Sequence, residues 1–244
     1  QSKAKSMKKL LFAVALAILS LSATGISQKA QAQEPFIPTK AGSVVITAEK
    51  NAEGKIDGYT KTTIINSRMT DQNNGTLVMR IEMLDENKKL QDMGDMSCTA
   101  TIKNGDLYIS APKIAIHTTA KDKKTGKTVD IDTSLTGTGE PQFFPVNPTV
   151  GQTLPDYSVA VKIRFLKMTA LATNRKVTAI ETLTINGVTY ECCKIEQTEK
   201  AKAMMFGETN RTINWYARGI GPVKTITYNK HGKLDNTEEL VYVK

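Results

Sequence analysis

The chain has 244 residues, 40% of them hydrophobic, with 33 lysines and arginines against 24 acids and a formal charge of +9. Five of the lysines fall before Gln33, in a stretch without an acid, so from Gln33 onward 28 cations face 24 anions. The resulting +4 is an ordinary surface, and it speaks against nucleic-acid binding.

The first predicted element is an export signal. Met7 is followed by Lys8 and Lys9 and then by the apolar run Leu10–Leu21, with Ala30-Gln31-Ala32 beyond it. A charged start, a short apolar middle and an A-x-A pattern are the three parts of a cleavable signal peptide. The run has about 12 residues where a membrane span needs roughly 20. Residues 7–32 are therefore expected to be removed before Gln33, with 1–6 set apart as an upstream remnant and 33–244 as one β-rich domain. Position 33 is Gln rather than the Cys of a lipoprotein, and no second long apolar stretch follows. The expected product is exported, periplasmic or secreted, and soluble, with no lipid anchor and no transmembrane segment.

From Ser43 the chain reads as strands and turns. Gly54 and Asp57-Gly58 punctuate a Val/Ile/Thr-rich stretch from 43 to 67, which predicts two strands and a turn. Asn74-Gly75 is a hairpin signal, and Leu77, Met79, Ile81 and Met83 then alternate with polar neighbours as on a half-buried strand. Strands 97–103 and 107–110 flank Asn104-Gly105, and 127–136 is another strand. Residues 137–156 hold four of the eight prolines and read as a connection. Beyond it Tyr157, Val159, Val161, Ile163 and Phe165 share one face of a strand. Strands 177–185 and 188–198 flank Asn186-Gly187, and 209–217, 223–229 and 237–243 complete the set. Only 112–120 and 198–206 (TEKAKAMMF) could be short helices. The expected class is mainly β, an antiparallel sheet of about eleven strands curled into a barrel or half-barrel.

Four blocks carry a family resemblance. They are Phe144-Pro145 with Val150-Gly151-Gln152-Thr153-Leu154-Pro155-Asp156; Arg175-Lys176-Val177 with Glu181; Gly187-Val188-Thr189-Tyr190-Glu191-Cys192-Cys193-Lys194-Ile195; and Trp215-Tyr216-Ala217-Arg218-Gly219-Ile220-Gly221-Pro222-Val223-Lys224. In order and spacing across 143–244 they resemble exported bacterial proteins catalogued as "domain of unknown function 3108-like", common in Bacteroides-type organisms. The resemblance implies a β-rich exported domain, similar in outline to the half-barrels of periplasmic lipoprotein carriers, and it implies no reaction. It also places a cysteine at Cys192. Cys192 and Cys193 are adjacent, so in a strand only one can share a face with Cys98. The family pattern points to a Cys98–Cys192 bridge, with Cys98–Cys193 or three free thiols as the other outcomes. In the last block Trp215 and Tyr216 should face opposite sides, with Gly219 and Gly221 permitting a bend.

Chemistry is sparse. Asp71, Asn73, Gly75 and Glu82 echo a calcium loop, but Thr76 stands where glycine is needed and a strand follows, so a turn is the better reading. Asp130 and Asp132 share a strand face without a companion ligand. His117 and His231 are far apart, no nucleophile elbow exists, and no catalytic residue, metal site or cofactor is expected. Five methionines lie between Met69 and Met96. Flexible side chains of this kind suit an adaptable apolar surface. The sharpest functional expectation is an apolar or amphipathic ligand held in a cleft lined by Met79, Met83, Val161, Ile163 and Phe165. The alternative is a structural or protein-interaction module of the cell envelope that has a filled core and no ligand.

Overall fold

A computed structural model describes residues 34–121, 128–163, 166–203 and 206–244. The export signal at 7–32 lies outside them, as does Phe165. The side chains of His117, Asp130, Asp132 and Ile163 are likewise outside the described part, although the backbone register sets His117 opposite Asp132.

Among the described residues there are fourteen strands and no helix: β1 Val44–Asn51, β2 Ile56–Asp71, β3 Asn74–Leu84, β4 Leu90–Lys103, β5 Asp106–Ile109, β6 Lys113–Lys121, β7 Thr128–Thr136, β8 Gln142–Phe144, β9 Tyr157–Ile163, β10 Leu166–Ile185, β11 Val188–Ala203, β12 Phe206–Ala217, β13 Gly221–Asn229 and β14 Leu234–Val243. Every pairing is antiparallel, in the order β7-β6-β4-β3-β2-β1-β14-β13-β12-β11-β10-β9, while β5 and β8 branch from β4. The two ends of this path meet: Thr138, just past β7, exchanges backbone hydrogen bonds of 2.8 and 2.7 Å with Ala160 of β9. The twelve-stranded path is thus nearly closed into a barrel. Gly139 permits the closure, because its φ is +144° and a Cβ there would lie 1.9 Å from Ser158 O.

Turn chemistry accounts for much of this order. Asn104-Gly105 and Asn186-Gly187 all have positive φ (52° and 85°, 49° and 79°), the conformation of a tight two-residue hairpin. The β2–β3 turn departs from the sequence expectation. It falls at Gln72-Asn73, fixed by Asp71 Oδ1 accepting from Asn73 N at 2.7 Å, and Asn74-Gly75 already belongs to β3.

Both helix expectations are corrected. Residues 113–121 are β6, and 198–203 continue β11, whose alternation leaves Glu199 and Ala203 buried beside exposed Lys200 and Lys202. Pairing with β10 and β12 on either side outweighs the local helix propensity of that lysine- and alanine-rich segment.

The core fills the apolar part of the interior. Leu77, Met79, Ile81 and Met83 of β3, Cys98, Ala100 and Ile102 of β4, and Tyr157, Val159 and Val161 of β9 are all buried in one cluster with Met168, Val177, Ile195 and Tyr216. Eight strands already make an interior that side chains can just fill. Within the ring of twelve, the branch strands β5 and β8 bring Leu107, Ile109 and Phe144 into the same buried cluster.

Candidate functional site

The interior has two unlike walls. The apolar one runs over β3–β5 and β9–β10 and contains the predicted lining Met79, Met83 and Val161, at 0, 6 and 1% exposure. The three residues are buried in one cluster on the face that alternation sets. They share one buried cluster with Met168, Val177 and Tyr216.

The other wall spans β11, β12, β13, β14 and β1 and is polar. Register sets out three successive rungs: Glu199–Asn210–Asn229; Gln197–Thr212–Thr227–Asn236–Asn51; and Ile195–Asn214–Thr225–Glu238–Glu49. Glu199 Oε1 accepts from Thr212 Oγ1 at 2.7 Å and from Gln197 Nε2 at 2.9 Å. Burial pushes its carboxyl up to about 7, against these hydrogen bonds and the charge of Arg175. Glu238 Oε2 accepts from Thr47 Oγ1 at 3.1 Å; burial, reinforced by Glu49, pushes this carboxyl up to about 8. Sequence reasoning passed over both acids, because glutamates in a lysine-rich strand or beside another glutamate read as surface.

Arg175 joins the two walls. A bulge in β10, with Asn174 at φ 55°, turns this side chain fully inward. Its guanidinium donates to Pro155 O at 2.7 Å, Phe143 O at 3.2 Å and Gln197 Oε1 at 3.2 Å, and it lies between the rings of Phe144 and Tyr157, 4.9 and 4.8 Å from their centroids. Gln197 passes the contact on to Glu199. The sequence marked Arg175 as part of a shared block but gave no sign of its burial.

The Trp215–Gly221 corner behaves as alternation requires. Trp215 joins a second cluster with Ile185, Cys192 and Ile213, and its Nε1 donates to Glu181 Oε1 at 2.7 Å. Tyr216 faces the main core, 5.9 Å from the Phe144 ring. Beyond the corner, Arg218 donates to Glu34 O and Val146 O and sits 4.6 Å from the Phe36 ring, while Gly219 N donates to Pro35 O at 2.9 Å. The corner holds the start of the described chain, and Phe36 and Ile37 plug that end of the barrel. Gly219 and Gly221 supply the bend with positive φ, at 67° and 102°.

The expected Cys98–Cys192 bridge is corrected. Cys98, Cys192 and Cys193 are free and buried, and burial pushes each thiol up to about 12. Cys98 and Cys193 belong to the main core, Cys192 to the second cluster. The inner residues of β11 are Cys193, Ile195, Gln197 and Glu199, so Cys192 looks away from Cys98 across the sheet.

The calcium-loop residues are engaged elsewhere. Asp71 is bound into its turn, with Asn74 Nδ2 at 3.0 Å, and Glu82 pairs with Lys61 Nζ at 2.7 Å. Among the described residues no group of three His, Cys, Asp or Glu is placed to hold a metal ion. No helix of those residues is long and apolar enough to cross a membrane.

These features define an antiparallel β-barrel domain plugged at one end, with one apolar and one polar inner wall. The chain belongs to the DUF3108-like family, whose model matches residues 40–240 and so takes in both halves of the barrel. The fold is shared with a Bacteroides fragilis protein of YmcC-like fold described as a candidate exported protein, at 15% identity and a TM-score of 0.68, covering 86% of this chain and 99% of that one. It is shared also with a candidate lipoprotein from Parabacteroides distasonis, at 15% identity and a TM-score of 0.65, covering 88% and 100%. No curated protein matches the chain.

Proposed function

We propose that this chain is an exported, non-catalytic module of the cell envelope whose barrel serves as a recognition scaffold and not as a container for lipid. The observation that carries the reading is the buried apolar wall: Leu77, Met79, Ile81, Met83, Tyr157, Val159 and Val161 fall in one cluster with 0–6% exposure. A lipid-sized cavity would leave one of these rows open. Non-catalytic action is supported by His231 lying in a surface turn and by Glu199 being held by Gln197 and Thr212. Export with cleavage before Gln33, and a soluble product, follow from the signal-like segment and from Gln at that position; N-terminal sequencing of the protein recovered from its host tests both.

A second reading, the carrier of an apolar or amphipathic ligand, draws on Met79, Met83, Met96 and Met168 in the same core, since flexible side chains can re-pack around a guest. The Met79→Ala and Met83→Ala variants separate the two. A filled core loses about 2–5 kcal/mol of stability per substitution with no uptake of a hydrophobic dye. Little loss of stability together with altered dye uptake establishes the carrier instead.

A further inference from the structure

The polar wall holds hydrogen-bonding capacity that the protein leaves unused. Thr227 and Asn236 are direct register partners on β13 and β14, at 0 and 8% exposure. Thr227 Oγ1 and Asn236 Oδ1 have no hydrogen-bond partner among the described residues. Buried polar atoms are almost always paired, so two orphans side by side mark a place where a partner belongs. On the adjoining rung Glu238 pairs with Thr225 on one side and faces Glu49 on the other. Asn236 Nδ2 donates to Glu49 Oε1 at 3.1 Å, which leaves the amide oxygen as the open acceptor.

Two carboxylates, an amide oxygen and a hydroxyl thus lie on one face of three adjacent strands. The inward residues of β12, β13, β14 and β1 include no lysine or arginine among those described. The wall is rich in acceptors and short of positive charge. Burial and the neighbouring Glu49 and Glu199 raise the Glu238 carboxyl, a repulsion that a bound cation would relieve.

Calcium takes six to eight oxygens and a compact set of carboxylates, and the described residues hold no acidic group of that kind. An ammonium group carries three donors and needs about three acceptors. We propose that Glu238, Asn236 and Thr227 bind the ammonium head of a small primary amine. The carboxylate of Glu238 pairs with its charge, and Asn236 Oδ1 and Thr227 Oγ1 take its remaining hydrogens. A surface hollow of about 390 Å³, lined by Glu208, Asn210, Asn229, Lys230, His231 and Asp235 among others, lies at this end of the barrel. It adjoins the Asn210–Asn229 pair of the outermost rung, one rung from Thr227 and Asn236. The site is separate from the filled apolar wall, so its failure leaves the scaffold reading untouched.

The test titrates the full exported chain with n-butylamine hydrochloride, following backbone amide NMR shifts. n-Butanol, sodium chloride and calcium chloride serve as comparisons at matched ionic strength. Saturable shifts centred on Thr227, Asn236 and Glu238 with the amine alone are expected. Glu238→Gln should weaken binding about tenfold or more, and Thr227→Val, which keeps every charge, by roughly threefold or more. If Glu238→Gln does not fold, Thr227→Val decides. No saturation by about 100 mM amine (weaker than any specific site), an equal response to butanol, sodium or calcium, or undiminished binding in the variants overturns the proposal.

Discussion

The two inner walls of one barrel obey opposite rules. On β3 and β9 the apolar residues point inward and the charges outward, so Leu77, Met79, Ile81 and Val159 are buried while Arg80 and Lys162 are exposed. On β12 the pattern is reversed: Asn210, Thr212 and Asn214 point inward, and Ile213 and Trp215 occupy the other face. The first wall is held by burial of apolar area, the second by a hydrogen-bond ladder around two acids. An interior therefore need not be uniformly apolar to be closed. It needs its polar groups paired, and the polar wall leaves a few that are not.

The largest expected effect breaks the joint between the walls. Arg175→Ala leaves Phe143 O, Pro155 O and Gln197 without their donor and removes the cation that steadies Glu199, and about 3–5 kcal/mol of stability should be lost in chemical denaturation. Next comes a matched pair of variants. Met79→Ala in the apolar wall should cost about 2–5 kcal/mol. Thr227→Val in the polar wall keeps the shape and removes an orphaned hydroxyl, so it should be neutral or stabilising by about 1 kcal/mol. Equal losses would mean that the two walls are held in the same way.

A gentler probe is pH. Carboxyls raised from 4.5 to about 7 and 8 bind protons more tightly in the folded than in the unfolded state. Stability from Glu199 and Glu238 is therefore fully present below about pH 4.5 and declines as pH rises toward 8. Glu238→Gln should flatten the upper part of that decline and stabilise the protein at pH 8, by at most about 4 kcal/mol at 1.36 kcal/mol per pKa unit. The smallest effect is expected at the cysteines. Thiols raised to about 12 should react with a maleimide only after unfolding, and labelling of the native protein within minutes would place one of them at the surface.

Half of this architecture was legible in the sequence. Alternation from Leu77 to Met83 and from Tyr157 to Val161 set the facing of β3 and β9, because hydrophobic burial governs that wall. Asn104-Gly105 and Asn186-Gly187 marked their hairpins, because few other residue pairs accept positive φ twice in succession. The polar wall was not legible. Its inward residues are Thr, Asn and Glu, and by hydrophobicity alone Ile213 and Trp215 would be turned inward in their place. Arg175 and Glu199 were hidden for a related reason: a charge is buried only where partners converge, and Gln197, Thr212 and the carbonyls of Phe143 and Pro155 come from four separate segments. The adjacent cysteines show how far a family pattern carries. It marked Cys192, while the strand's own alternation assigns Cys193 to the face that Cys98 occupies.

The joining of β1 to β14 has a consequence for how the molecule assembles. Thr47 and Glu238 are 191 residues apart in sequence, and the clamp of Arg218 on Glu34 spans 184. Contacts of such separation demand that almost the whole chain be present before they form, and they slow folding in proportion. A polypeptide delivered from its N-terminus can pair β1 with β2 and β2 with β3 early, yet Phe36 stays undocked until the corner at Arg218 and Gly219 arrives, and the ring stays open until β14 does. Closure is a single late event, and it leaves the chain threadable until its final strand is through.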